Sequence, residues 1–69
     1  MENTAKGLVG QEVVLTILRK TKSVFERRVR ILGVEHGFIK VRGLSGMEGV
    51  IPLDDEYMRV EAIRLCDPE

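Results

Sequence analysis

At 69 residues the chain has room for one domain, over residues 1–69. Its 43% hydrophobic and 32% charged residues exclude a disordered or low-complexity chain. No apolar run approaches the ~18 residues of a membrane span, so no membrane partner is expected. The net charge is zero. Met1-Glu2-Asn3-Thr4 has neither the basic nor the apolar region of a secretory signal. The lone Cys66 has no partner for an internal disulfide, and with His36 it falls short of a four-ligand zinc site. Both features lead us to expect a cytoplasmic protein without metal or other cofactor. An unstapled domain of this size holds only ~3–5 kcal/mol, which makes an oligomer attractive.

In chain order, Asn3 and Thr4 are candidate helix caps, with Gly7 and Gly10 as stops, so at most one short helical turn fits before residue 10. Residues 12–19 alternate Val13, Leu15 and Ile17 with Val14, Thr16 and Leu18, a strand apolar on both faces. Residues 19–23 are polar and suit a hairpin connection. A second strand, 24–34, puts Phe25, Val29 and Ile31 on one face and Glu26, Arg28 and Arg30 on the other, with Gly33 permitting a sharp bend. Glu35-His36-Gly37 reads as a tight turn in which Gly37 takes positive φ. Strands at 38–42 and 49–53 follow, and Pro52 confines the latter to an edge or a strand end. Asp54-Asp55-Glu56-Tyr57 could start a helical turn leading into a last strand at 60–65. Five antiparallel strands in so short a chain hide their apolar face by rolling up. The expected class is therefore all-β, a small, strongly bent five-stranded barrel. Its core should hold Val13, Leu15, Ile17, Phe25, Val29, Ile31, Ile39, Val41, Ile51, Val60 and Ile63.

The zero net charge hides an asymmetry. Arg19, Lys20, Lys22, Arg27, Arg28 and Arg30 stand against Glu26 alone, a net +5 over residues 19–30. Residues 54–69 carry six acids against Arg59 and Arg64, a net −4. These segments either contact each other, within the fold or between subunits, or leave a patch for a polyanion.

Three segments carry a resemblance to the Sm-like family. Residues 8–15 (Leu8-Val9-Gly10-Gln11-Glu12-Val13-Val14-Leu15) resemble its opening, a short helix ending in Gly before an apolar strand. Residues 29–34 and 38–41 are similar to its bent second and its third strand. Ile51-Pro52-Leu53 with Val60-Glu61-Ala62-Ile63 resembles its closing pattern. The resemblance implies an RNA-binding barrel working as a ring. The family's RNA-contacting residues do not carry over one for one. The turn Glu35–His36–Gly37 lacks the family's Asn, and Arg42-Gly43 falls after the third strand rather than between the last two.

No Ser–His–Asp arrangement, phosphate-cradling glycine motif or metal-spaced cluster is present, so no enzymatic activity is expected. Cys66 has no cation nearer than Arg64 and reads as an unreactive thiol. Asp54, Asp55 and Glu56 lack the wider spacing of a calcium loop. The best binding constellation is His36, Phe38, Lys40 and Arg42, since alternation puts an aromatic and two cations on one face. Arg28 and Arg30 on the preceding strand would extend it. Two functions follow: a ring that binds RNA or another single-stranded nucleic acid, or a structural or protein-interaction module of similar, Src-homology-type barrel fold. The ring is expected to be a cyclic homo-oligomer, with residues 50–53 (Val50 to Leu53) of one subunit pairing with 60–65 (Val60 to Leu65) of the next, because each open edge satisfies the other's amides.

Overall fold

A computed structural model describes residues 1–66. A short helix, α1 (Glu2–Lys6), precedes five strands: β1 (Glu12–Arg19), β2 (Val24–Glu35), β3 (Phe38–Gly43), β4 (Glu48–Pro52) and β5 (Met58–Leu65). They form one antiparallel sheet in the order β4-β3-β2-β1-β5. The expected all-β class with a short N-terminal helix is thus observed. Asn3 and Thr4 do not cap the helix; they lie inside it, and Met1 occupies the cap position without a side-chain hydrogen bond. Gly10, at φ 88°, makes the left-handed exit that a side chain would resist.

β1 is an interior strand of the sheet, laddered to β2 on one side and to the edge strand β5 on the other. Val13, Leu15 and Ile17 on its inner face are buried, together with Val29, Ile31, Ile39, Val41 and Val60 from the neighbouring strands. Phe25, Ile51 and Ile63, also expected in the core, pack against it while partly buried. Ala5 and Leu53 join the core beyond expectation. Helix α1 lies over one end of the sheet, and the Gly37 amide donates to the Glu2 carboxylate at 3.1 Å.

On the outer face no second layer covers Val14, Thr16 and Leu18, yet all three are half-buried. Val14 lies in register between Arg28 and Arg64, so the aliphatic stems of long charged neighbours provide the cover.

Two bulges bend the sheet. One interrupts the β2–β3 register between Ile31 and Gly33, at the expected bend. The other interrupts the β1–β5 register opposite Thr16 and Ile17. There Ile17 faces Val60 and Leu15 faces Ile63, so an extra residue explains why these inward side chains lie three apart. The helical turn expected to start at Asp54-Asp55-Glu56-Tyr57 is not formed. Asp54 instead makes an isolated bridge to Arg59, and β5 begins at Met58.

The two edges, β4 and β5, do not ladder with each other, and the sheet is not closed. They meet only at one end, where the Val60 amide donates to Leu53 O at 2.8 Å and the Asp55 amide to Met58 O at 2.8 Å. Replacing Leu15, fully buried at the middle of β1, by Ala should cost ~2–5 kcal/mol, most of what a domain this small possesses. A urea titration followed by circular dichroism checks this: the midpoint should collapse toward zero denaturant.

Candidate nucleic-acid interface

The β2–β3 turn is a two-residue hairpin with both residues left-handed, His36 at φ 48° and Gly37 at φ 81°. That turn matches the right-handed twist of its strands. It projects His36 beside β3, where Phe38, Lys40 and Arg42 share the outer face as expected and Ile39 and Val41 point inward. Phe38 is 49% exposed. His36, Phe38 and Lys40 line a shallow hollow of about 660 Å³ with Leu32, Glu35 and Val50.

Arg42 does not join them as a free cation. Its guanidinium donates to the Glu48 carboxylate at 2.7 Å across the β3–β4 ladder. That hydrogen bond and the adjacent positive charge hold the Glu48 carboxyl below the usual glutamate range. A carboxylate with a depressed folded pKa adds stability above its unfolded value and loses it as pH falls through the folded one. The expected consequence is directional. The Glu48 side-chain carboxyl, followed by NMR titration, should titrate below the ordinary glutamate value and rise toward it in Arg42→Gln.

Arg28 and Arg30 are likewise engaged. Arg28 pairs with Glu12 at 3.6 Å, and Arg30 donates to the Gly10 carbonyl at 2.6 Å. Arg30 and Arg42 do stand opposite each other, as a continuous basic face requires. On β5, Arg64 reaches Glu26 at 3.2 Å and Arg59 reaches Glu61 at 2.9 Å. The outer face is a lattice of exposed ion pairs, each worth little to stability but together leaving little free charge.

Six cations form no ion pair with the described residues: Arg19, Lys20, Lys22, Arg27, Arg30 and Lys40. Lys20 and Lys22 share a cleft with Asp54, Asp55 and Glu56, so the basic and acidic segments adjoin within one chain. Arg19 and Arg27 flank Phe25, with guanidinium carbons 4.4 and 5.9 Å from the ring centroid. This group was legible and was missed. The alternation that puts Phe25, Val29 and Ile31 inward also puts Arg27 inward, opposite buried Leu15. The same alternation on β1 carries Val13, Leu15 and Ile17 on to Arg19. The signal was a cation at an apolar position.

All three residues line an open groove of about 480 Å³ between β4 and the β1–β2 hairpin, floored by Ile17, Val29, Val41 and Ile51. β4 forms its far wall. Hydrogen bonds from Gly43 N–H to Met47 O (2.9 Å) and from Leu53 N–H to Gly37 O (2.8 Å) set the phase of the β3–β4 ladder. Glu48, Val50 and Pro52 therefore turn their backbone groups to the free edge. Pro52 lacks an N–H only where β3 needs none. On β5 the Cys66 N–H bond to Glu12 O (3.1 Å) sets the phase in the same way, leaving the backbone groups of Ile63 and Leu65 facing outward.

No group of three or more His, Cys, Asp or Glu suited to a metal ion occurs among the described residues. No helix among the described residues is long and apolar enough to cross a membrane. No family model, curated protein or solved structure matches this chain.

Proposed function

We propose that this chain is a non-enzymatic, Sm-like small β-barrel module that binds RNA or another single-stranded nucleic acid, and that it works as a cyclic homo-oligomer in the cytoplasm. One observation carries the reading: three of the six cations left without an acid partner, Arg19, Arg27 and Lys40, adjoin aromatic side chains. Lys40 shares the outer hollow with half-exposed Phe38 and His36, and Arg19 and Arg27 flank Phe25. Bases stack on such faces in a sequence-tolerant way while cations follow the phosphates. A labelled oligoribonucleotide should be retained at low salt and released steeply as salt rises, because bound phosphates release counterions. Salt-independent retention, or none at low salt, contradicts the reading.

The free edges support the oligomer. Val60 N–H and Leu53 O are already bonded to each other within the chain, which narrows the contact to Glu48 and Val50 on one edge and Ile63 and Leu65 on the other. Exposed Val50 and Leu65 add apolar surface there. A head-to-tail contact between these edges closes a ring and completes the barrel walls with a neighbour's strand. Leu65→Lys, a charge on an exposed edge position, should shift the light-scattering mass of the oligomer toward one chain while circular dichroism shows the β-sheet retained. An unaltered chain that is monomeric at high micromolar concentration refutes the ring.

The same free edges favour a second reading, a structural or protein-interaction module without nucleic acid, since an exposed edge also accepts an extended peptide. An oligomer that holds no oligonucleotide at any salt concentration selects it.

A further inference from the structure

We infer that the open groove at Arg19, Phe25 and Arg27, rather than the outer face of β3, is the primary nucleotide site: a base enters against Phe25, and its phosphate is held by the two guanidiniums. This rests on the nucleic-acid reading above and assigns its principal contact to residues that the exposed β3 constellation leaves out.

Four observations converge. Arg27 is exposed, yet its register opposite buried Leu15 puts it on the face that Phe25, Val29 and Ile31 share, at the open end of the groove. A charge on the apolar face breaks the pattern that folds the sheet, and such breaks mark functional positions. Second, the groove offers this charge no acid. Its one carboxylate, Glu48, is already held by Arg42 at 2.7 Å. The outer hollow, by contrast, is lined by Lys40 and by a carboxylate, Glu35, that no cation among the described residues pairs. Third, at about 480 Å³ with an apolar floor and polar groups at one end, the groove falls within the ordinary size of small-ligand pockets, ~300–1,000 Å³. Fourth, the Arg19 guanidinium lies over the Phe25 ring at 4.4 Å, where a stacked base would lie. A base that displaces it gains the ring face and leaves the guanidinium beside the ligand's phosphate, while Arg27 approaches from the adjoining position.

The test compares three variants for binding of a short fluorescein-labelled oligouridylate by fluorescence anisotropy at low salt. Arg27→Leu restores the apolar pattern of the inner face, so folding should be kept, and a urea midpoint at or above that of the unaltered chain verifies it. Arg27→Leu and Phe25→Leu should each weaken binding ~10-fold or more, and Lys40→Ala less than ~3-fold, in keeping with ~1–3 kcal/mol for a stacked base. Free uridine monophosphate should compete with the oligonucleotide on the unaltered chain.

The converse pattern, loss in Lys40→Ala with Arg27→Leu unchanged, overturns the groove assignment while the nucleic-acid reading stands. An unaltered chain that retains no oligouridylate, oligoadenylate or single-stranded DNA removes that reading and the groove assignment with it. Binding of a glutamate-rich peptide that Arg27→Leu abolishes, with oligonucleotide affinity unchanged in that variant, makes the groove a protein-binding site and overturns the inference. So does a fall in oligomer mass in Arg27→Leu with unchanged affinity per chain, which assigns the groove to assembly.

Discussion

The burial of one face of β1 is the constraint on which the rest of this fold depends. Val13, Leu15 and Ile17 are fully or almost fully buried, and their strand is laddered on both sides. A sheet of five strands can cover three such residues only by curling over them, because no second layer exists. Bulges at Ile31–Gly33 and opposite Thr16–Ile17 supply the curl, α1 covers one end, and the β4–β5 connection pins the two edges together near Leu53 and Val60. What the curl does not reach stays open. The gap between β4 and the β1–β2 hairpin, the free amides of Val50 and the groove over Val29 and Val41 are one consequence of too little chain to complete a wall.

The distribution of charge follows the same geometry. On the outer face, register sets Arg28 near Glu12, Arg42 opposite Glu48 and Arg64 within reach of Glu26, so the strands neutralise one another. Their aliphatic stems shield Val14 and its neighbours, which gives these pairs a packing role that their electrostatic worth alone would not. The groove's cations have no acid of their own: the one carboxylate on its rim, Glu48, is held by Arg42. The positive potential therefore collects where the apolar surface is also uncovered. That coincidence, rather than net charge, is what the proposed ligand site rests on.

Much of this was legible in the sequence because strand alternation is a local signal. All five strands fell within a few residues of expectation, Pro52 at an edge was required by its missing N–H, and the turn at His36-Gly37 followed from glycine's tolerance of positive φ. Two things were not legible. The spacing of Val60 and Ile63 imitates a helical turn, and only the register with β1 shows it to be a bulge. The partners of Arg28, Arg30 and Arg42 lie on Glu12, Gly10 and Glu48, contacts that depend on which strands adjoin and in what register. A row of cations read along the chain therefore looks like a free basic face, although the fold neutralises it. Arg27 is the opposite case: its inward position needed only the alternation, but a charged side chain is easily taken as outward by default.

If the protein meets its ligand on the open side of the curled sheet rather than on its outer face, as proposed, the two faces should respond differently to that ligand. The most direct measurement is a two-dimensional NMR titration of the isotopically labelled chain with a short oligouridylate, following backbone amides and arginine side chains together. The account predicts shifts at Arg19, Phe25, Arg27 and the groove-facing residues of β4, with His36 and Lys40 moving little. Shifts confined to His36, Phe38 and Lys40, with the Arg27 side chain unmoved, would contradict it.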